Sequence, residues 1–202
     1  ETDPEFQSKL DWAAEFVRTE IEPLDLVWPH DNYKPLDDEH RRIVDPLKQK
    51  VRDQQLWACH LEPALGGQGY GQMKLALLNE ILGRSIWAPV IFGTQAPDTG
   101  NAEIIAHFGT EEQKVKYLPR MATGEIRATM ALTEPGGGSD LQAMTTNAKS
   151  DGTDLVVNGA KTWITNARRS GVIALLASTL LACFTIKVFI VSVKAFGSDT
   201  GE

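Results

Sequence analysis

The sequence predicts an α+β protein in which a helical N-terminal domain, residues 1–125, precedes a β domain, residues 126–202. Three observations predict this order. Ahead of Gly124, apolar residues recur at three- and four-residue spacing between helix start and stop signals. Beyond it, short runs rich in β-branched residues take over, and the turn pairs Asp151-Gly152 and Asn158-Gly159 separate them.

The helices come first. Thr2 and Glu5 have capping-box spacing, Pro4 suits a first helical position, and Phe6, Leu10, Ala13, Val17 and Ile21 share a face, so one helix is expected from here until Pro23 stops it. Past a loop marked by Pro29 and Pro35, Ile43, Leu47 and Val51 recur every four residues and predict a second, with Asp45-Pro46 as a kink or restart. Residues 75–82 are apolar on nearly every side, which predicts a helix buried among others and ended by Gly83. Two more are expected, over residues 98–108 closed by Gly109, and from Thr110, where Gln113 completes a capping box, to about Leu118.

Strands are expected at residues 145–149, 154–157, 161–165, 172–176 and 187–193, with Asp151-Gly152 and Asn158-Gly159 closing tight hairpins. Residues 172–193 hold one charge, Lys187, and approach the ~20 residues of a membrane-spanning helix. Their β-branched second half predicts buried strands instead.

Composition narrows the function. With 42% apolar residues in 202, the chain has enough for a proper core and reads as a soluble globular protein. Twenty basic against 27 acidic residues, with no Lys/Arg-rich run, argue against nucleic acid as a partner. Cys59 and Cys183 lack the spacing of a disulfide framework or a zinc site, which fits a reducing compartment. Residues 1–5 lack the basic start of a secretory signal, so no export is expected.

Gly66-Gly67-Gln68-Gly69-Tyr70-Gly71 does not have GxGxxG spacing and follows no strand, so it reads as a loop. His30, His40, His60 and His107 show no metal-ligand or triad spacing. More informative is Thr133-Glu134-Pro135-Gly136-Gly137-Gly138-Ser139-Asp140, where a proline enforces a turn, three glycines let backbone N–H groups approach a ligand, and Ser139 adds a hydroxyl. Downstream, Lys161-Thr162-Trp163-Ile164-Thr165-Asn166 would place Trp163 and Thr165 on one face of a strand, an indole beside a hydroxyl, chemically apt for a flavin.

With Gly109-Thr110-Glu111-Glu112-Gln113-Lys114, Tyr117-Leu118-Pro119 and Gly124-Glu125, these segments resemble the acyl-CoA dehydrogenase family in order and spacing. The resemblance implies a helical N-terminal domain and a β-barrel-like middle domain, ahead of a C-terminal four-helix bundle that this chain does not reach. It implies FAD as cofactor. Met130, Leu132 and Thr133 match positions that contact the flavin ring, Ser139 matches a serine near the flavin pyrophosphate and the acyl-CoA, and Trp163 and Thr165 match residues packed against the flavin and bonded to it. No catalytic residue is assigned in this chain, because the family's carboxylate base belongs to the bundle and Glu134 matches a position that supports the loop. The family reaction converts an acyl-CoA thioester to a trans-2-enoyl-CoA, as in fatty-acid β-oxidation, and passes electrons to an electron-transferring flavoprotein. A homo-oligomer in full-length form is implied, in the bacterial cytoplasm or alternatively the mitochondrial matrix. Residues 178–183 fall where the family has a polar loop, and residues 197–202 are unlike it, which suggests a fragment or a truncated relative. Two alternatives stay open: a non-catalytic flavin or acyl-CoA binding remnant, and a flavin oxidase or monooxygenase on the same fold.

Overall fold

The computed structural model describes residues 2–29, 35–65, 67–152, 154–179 and 185–192. The chain divides into two compact units, Glu1–Thr99 and Gly100–Glu202.

Helix α1, Pro4–Phe16, is capped by Asp3 and not by Thr2. The Asp3 carboxylate accepts the Phe6 N–H at 2.9 Å, and Lys74 Nζ lies 2.8 Å from its other oxygen. An acidic cap meets an orphan N–H and the positive end of the helix dipole together. Pro23 does not stop the helical run. A π-helical turn, Val17–Ile21, leads into α2, Glu22–Val27, and Pro23 occupies the first turn of α2, where a missing N–H costs no hydrogen bond.

Helix α3, Asp38–Asp53, passes Pro46 without breaking. Leu47 and Val51 are buried as expected, while Val44 takes the place of the exposed Ile43 at the start of the stripe. Helix α4, Gly71–Leu82, ends at Gly83 as predicted, but only Leu78, Ile81 and Leu82 are buried and Met73 faces out. Its apolar sequence thus covers a one-sided contact. Helix α5, Ala88–Phe92, was not foreseen; it has Pro89 in its first turn and is too short to show a period. Phe6, Phe16, Ile21, Val44, Leu78, Trp87 and Phe92 build one core, in which the Trp87 indole N–H donates to Trp28 O at 2.9 Å. Cys59 is buried there, and burial pushes its thiol up to about 11, away from nucleophile chemistry.

Helix α6, Asp98–Phe108, precedes α7, Glu111–Thr123. The capping box closes both ways, Gln113 N–H to Thr110 Oγ1 at 3.2 Å and Thr110 N–H to Gln113 Oε1 at 2.9 Å. The helix runs past Leu118 and through Pro119, and ends only where Gly124 caps it. Ile105, Tyr117 and Met121 pack with Ala128 and Val172, so these helices cluster with strands. Chain chemistry changes near residue 125, while the compact units part at Thr99.

The strands are β1, Ala128–Ala131; β2, Asn147–Asp151; β3, Asp154–Asn158; β4, Val172–Thr179; and β5, Thr185–Ser192. Strand β4 is the organiser. Antiparallel β5 pairs with its full length, from Val172↔Ser192 to Thr179↔Thr185. Its other edge is shared by two parallel partners, β1 opposite residues 172–175 and β2 opposite Ser178 and Thr179. Strand β3 pairs antiparallel with β2 in a tight hairpin whose turn lies one residue beyond the expected Asp151-Gly152 pair: Asp151 ends β2 opposite Asp154, and Gly152, at φ 62°, opens the turn. Among the described strands this five-stranded sheet does not close on itself, which corrects the barrel-like expectation to an open mixed sheet.

Two further expectations meet the structure here. Residues 172–179 and 185–192 form two paired strands, and no described helix is long and apolar enough to cross a membrane; residues 180–184 and Val193 lie outside the described residues. Residues 161–165 are not a strand. Asn158 ends β3 opposite Asn147, and Gly159, at φ 151°, leads into irregular chain instead of closing a second hairpin. Close packing explains that glycine, since a Cβ there would lie 2.3 Å from Thr146 Oγ1.

An N-cap threonine replaced by alanine typically costs about 1 kcal/mol. Thr110→Ala is therefore expected to lower unfolding free energy by about that amount in a urea titration, and an unchanged midpoint would show that the box does not hold α7.

Candidate functional site

The split edge of β4 sets the site. Strand β1 leaves that edge after Ala131, opposite Leu175, and β2 rejoins it opposite Ser178, so the intervening loop must leave the sheet and return within a short span of β4. At its start, Glu134 and Gly137 exchange backbone hydrogen bonds, Glu134 N–H to Gly137 O at 3.0 Å and the reverse at 3.1 Å, around Pro135-Gly136. Proline pre-sets the backbone for such a turn. Gly136, Gly137 and Gly138 are exposed, and a Cβ on Gly136 or Gly137 would meet nothing within 4 Å. Neither packing within this chain nor a left-handed backbone calls for those two glycines, so their bareness leaves open space beside the main chain that a ligand can enter.

Beneath the turn, the Glu134 carboxylate is buried and saturated with donors. One oxygen accepts Thr145 N–H and Thr145 Oγ1–H, each at 2.7 Å; the other accepts Thr146 N–H and Lys161 Nζ, each at 2.9 Å. Lys161 Nζ also donates to Leu132 O at 2.8 Å. Burial pushes the carboxyl pKa up, but the hydrogen bonds from Thr146, Thr145 and Lys161 outweigh it and hold the group well below the usual carboxylate range. Glu134 is thus a fixed anion and a poor proton acceptor.

Lys161 opens the segment that carries the indole. Thr162 N–H donates to Thr133 O at 3.0 Å, and Thr129 Oγ1–H donates to Thr165 O. Between these anchors Trp163 sits at φ 56° with its side chain 90% exposed. A bulky residue in that region is strained by about 1–2 kcal/mol, and an indole in water recovers none of it by packing. A turn at Asn166, with Arg169 and Ser170 N–H donating to Asn166 O at 3.0 Å, brings the chain back to β4. Trp163 and Thr165 therefore share a bend and not a strand face, and the alternation argument that paired them does not apply.

Met130, in β1, and Leu132 and Thr133, just past it, are half-buried; Trp163 and Thr165 are exposed beside them. The hydrogen bonds above tie these two stretches together. Ser139 is exposed on the arm leaving the turn, outside that network. Sequence reasoning missed Lys161, Thr145 and Thr146 as partners of Glu134. A buried lysine beside a turn is a weak signal, and nothing in the spacing pairs it with a carboxylate 27 positions upstream.

A helical unit ahead of a mixed sheet whose described strands stay open, with a glycine-rich turn and a strained, exposed tryptophan at the sheet's split edge, defines a two-part α+β protein with a candidate site on its β part. Residues 3–125 match the acyl-CoA dehydrogenase N-terminal domain and residues 129–201 the acyl-CoA dehydrogenase middle domain, and the chain belongs to that family. It is 34% identical over 174 residues to (2S)-methylsuccinyl-CoA dehydrogenase of Cereibacter sphaeroides, covering 85% of this chain and 31% of that protein. It is 35% identical over 130 residues to acyl-CoA dehydrogenase family member 11 of Rattus norvegicus, covering 64% of this chain and 16% of that one. Glutaryl-CoA dehydrogenase of Mycobacterium smegmatis, solved in complex with FADH2, superposes with a TM-score of 0.66 at 26% identity, over 95% of this chain and 46% of that one. The chain thus spans less than half the length of each of these relatives.

Because the folded Glu134 pKa lies below that of an unfolded glutamate, ~4.3, its contribution is fully present above that value and is lost progressively as pH falls from there toward the lower folded pKa. The stability gap between the wild type and Glu134→Gln should be largest near neutrality and shrink below about pH 4.3. A gap that stays constant on acidification, in thermal melts followed by circular dichroism, would show that the carboxylate is not held as an anion.

Proposed function

We propose that this chain forms the flavin-contacting part of an FAD-dependent acyl-CoA dehydrogenase, an oxidoreductase that converts an acyl-CoA thioester to a trans-2-enoyl-CoA. The observation that carries the reading is Trp163, a strained indole turned out to solvent beside a turn whose glycines leave room for a ligand. When bound, the flavin supplies the acceptor for the hydride leaving the β-carbon. Trp163 would cover one side of its ring, the Thr133 and Thr165 hydroxyls would meet ring heteroatoms, and the backbone of Met130 and Leu132 would line the edge. Ser139 and the exposed backbone of Gly136 and Gly138 would face the pyrophosphate and the acyl-CoA, the Gly137 N–H being held by Glu134 O.

Glu134 is not the base. Four hydrogen bonds fill its oxygens and it is ionised far below neutrality, so it has neither the free lone pair nor the basicity for α-proton removal. The base is then a carboxylate from the C-terminal bundle of the family's three-part plan, with the border between the first two domains near residue 125. Electrons would pass to an electron-transferring flavoprotein, and the working form would be a homo-oligomer in the bacterial cytoplasm or the mitochondrial matrix. Fatty-acid β-oxidation is the broad setting proposed; the Cereibacter sphaeroides relative is named for (2S)-methylsuccinyl-CoA.

FAD titrated into the chain is expected to quench tryptophan fluorescence, and Trp163→Ala should weaken the apparent affinity about tenfold, since an aromatic stacking contact is worth on the order of 1 kcal/mol or more. Addition of any acyl-CoA should leave the FAD oxidised. Undiminished FAD binding by Trp163→Ala would remove the basis for this reading, and rapid bleaching of the flavin by the chain alone would return Glu134 to consideration as a base.

A further inference from the structure

A residue held in a costly conformation without packing of its own must be over-determined by its neighbours. Trp163 is such a residue, and its restraints lie within two positions on either side. Downstream, Thr129 Oγ1, on a fully buried residue of β1, holds Thr165 O. Immediately upstream, Thr162 N–H is held by Thr133 O at 3.0 Å. Two positions upstream, the Lys161 side chain, 9% exposed, points inward and spends its ammonium on Leu132 O and Glu134 Oε1. The first two are single neutral hydrogen bonds. The third is charge-assisted and dry, the stronger kind, and it fixes the segment against both the end of β1 and the glycine turn.

We infer that Lys161 is a positioning residue, whose buried ammonium sets the bend of residues 161–165 and thereby presents Trp163 in the conformation that a planar cofactor covers. The inference rests on the flavin reading for its consequence, but its geometry stands on the hydrogen bonds alone. Lys161 does not touch the cofactor in this account; it acts through Trp163. Without the ammonium, Leu132 O and one Glu134 oxygen lose a charged donor in a dry place, and the left-handed conformation of Trp163 loses its strongest restraint.

The test labels the full chain with 5-fluorotryptophan and records fluorine NMR, with the Trp163 line assigned by its loss in Trp163→Phe. In Lys161→Met the Trp163 line should move toward that of a free fluorotryptophan peptide, while the backbone amide signals of β4, Val172–Thr179, stay in place. FAD affinity should fall about tenfold if the competent conformer drops to about a tenth of the population. Lys161→Met leaves Glu134 a buried charge without its ionic partner, which threatens folding; the double variant Glu134→Gln with Lys161→Met carries no such charge and should show the same displaced line. An unmoved Trp163 line in whichever of the two is folded would overturn the inference. Displacement of the β4 signals along with the Trp163 line would overturn it too, because it would make Lys161 a general support of the sheet. If the wild type binds no FAD at all, the flavin reading falls, yet the line shift still decides the role of Lys161.

Discussion

Burying a carboxylate is costly unless every lone pair that water served is met by the protein. Glu134 meets that condition with donors from two separate places in the chain, Thr145 with Thr146 at the entry to β2, and Lys161 ahead of the indole. Removing either set leaves a buried charge short of donors, so the three stretches are held together as a unit. The unit sits where β4 changes partner from β1 to β2, the place at which the sheet itself supplies no ladder to hold the loop. Much of what stands out on this face depends on that one anion.

Its consequences run outward. Lys161 is drawn in to the carboxylate, and Trp163, two residues on, is left outside with a left-handed backbone and an exposed ring. The turn over Glu134 closes through Pro135-Gly136, and its glycines stay bare because nothing in this chain fills the space beside them. A buried, hydrogen-bonded floor under an exposed but over-determined rim is what a preorganised binding surface needs, since ordering costs are met in folding and not at binding. The helical unit has a core of its own, built from Phe6, Trp87, Phe92 and their neighbours, so the two units answer to separate packing constraints.

Much of the fold was legible from local rules. The Thr110-Gln113 box, the Gly83 stop and the Asp151-Gly152 hairpin signal each act within a few residues and each marks an element expected there, although α7 runs past Leu118 to Gly124 and Asp151 itself joins β2. Proline was harder, because the same residue ends one helix or begins another depending on its turn, and Pro23 begins one. The start of the α3 stripe was missed by one position, as Ile43 and Val44 are interchangeable to a pattern and only packing tells them apart. At the site, the glycine turn and the indole were visible as chemistry, but their arrangement was not. Residues 161–165 carry strand-forming side chains, and their bend is imposed by a carboxylate far away in sequence. The open arrangement of the described strands was equally hidden, since strand propensity does not encode which edge a strand takes.

The central claim is that the glycine turn and the tryptophan bend form one binding surface because Glu134 joins them. Hydrogen exchange followed residue by residue, with and without saturating FAD, tests it most directly. Amides of residues 136–139 and 162–166 are expected to slow together on FAD addition, while those of residues 4–92 exchange as before. Saturating FAD that protects one stretch without the other, or protects only the helical unit, would contradict it.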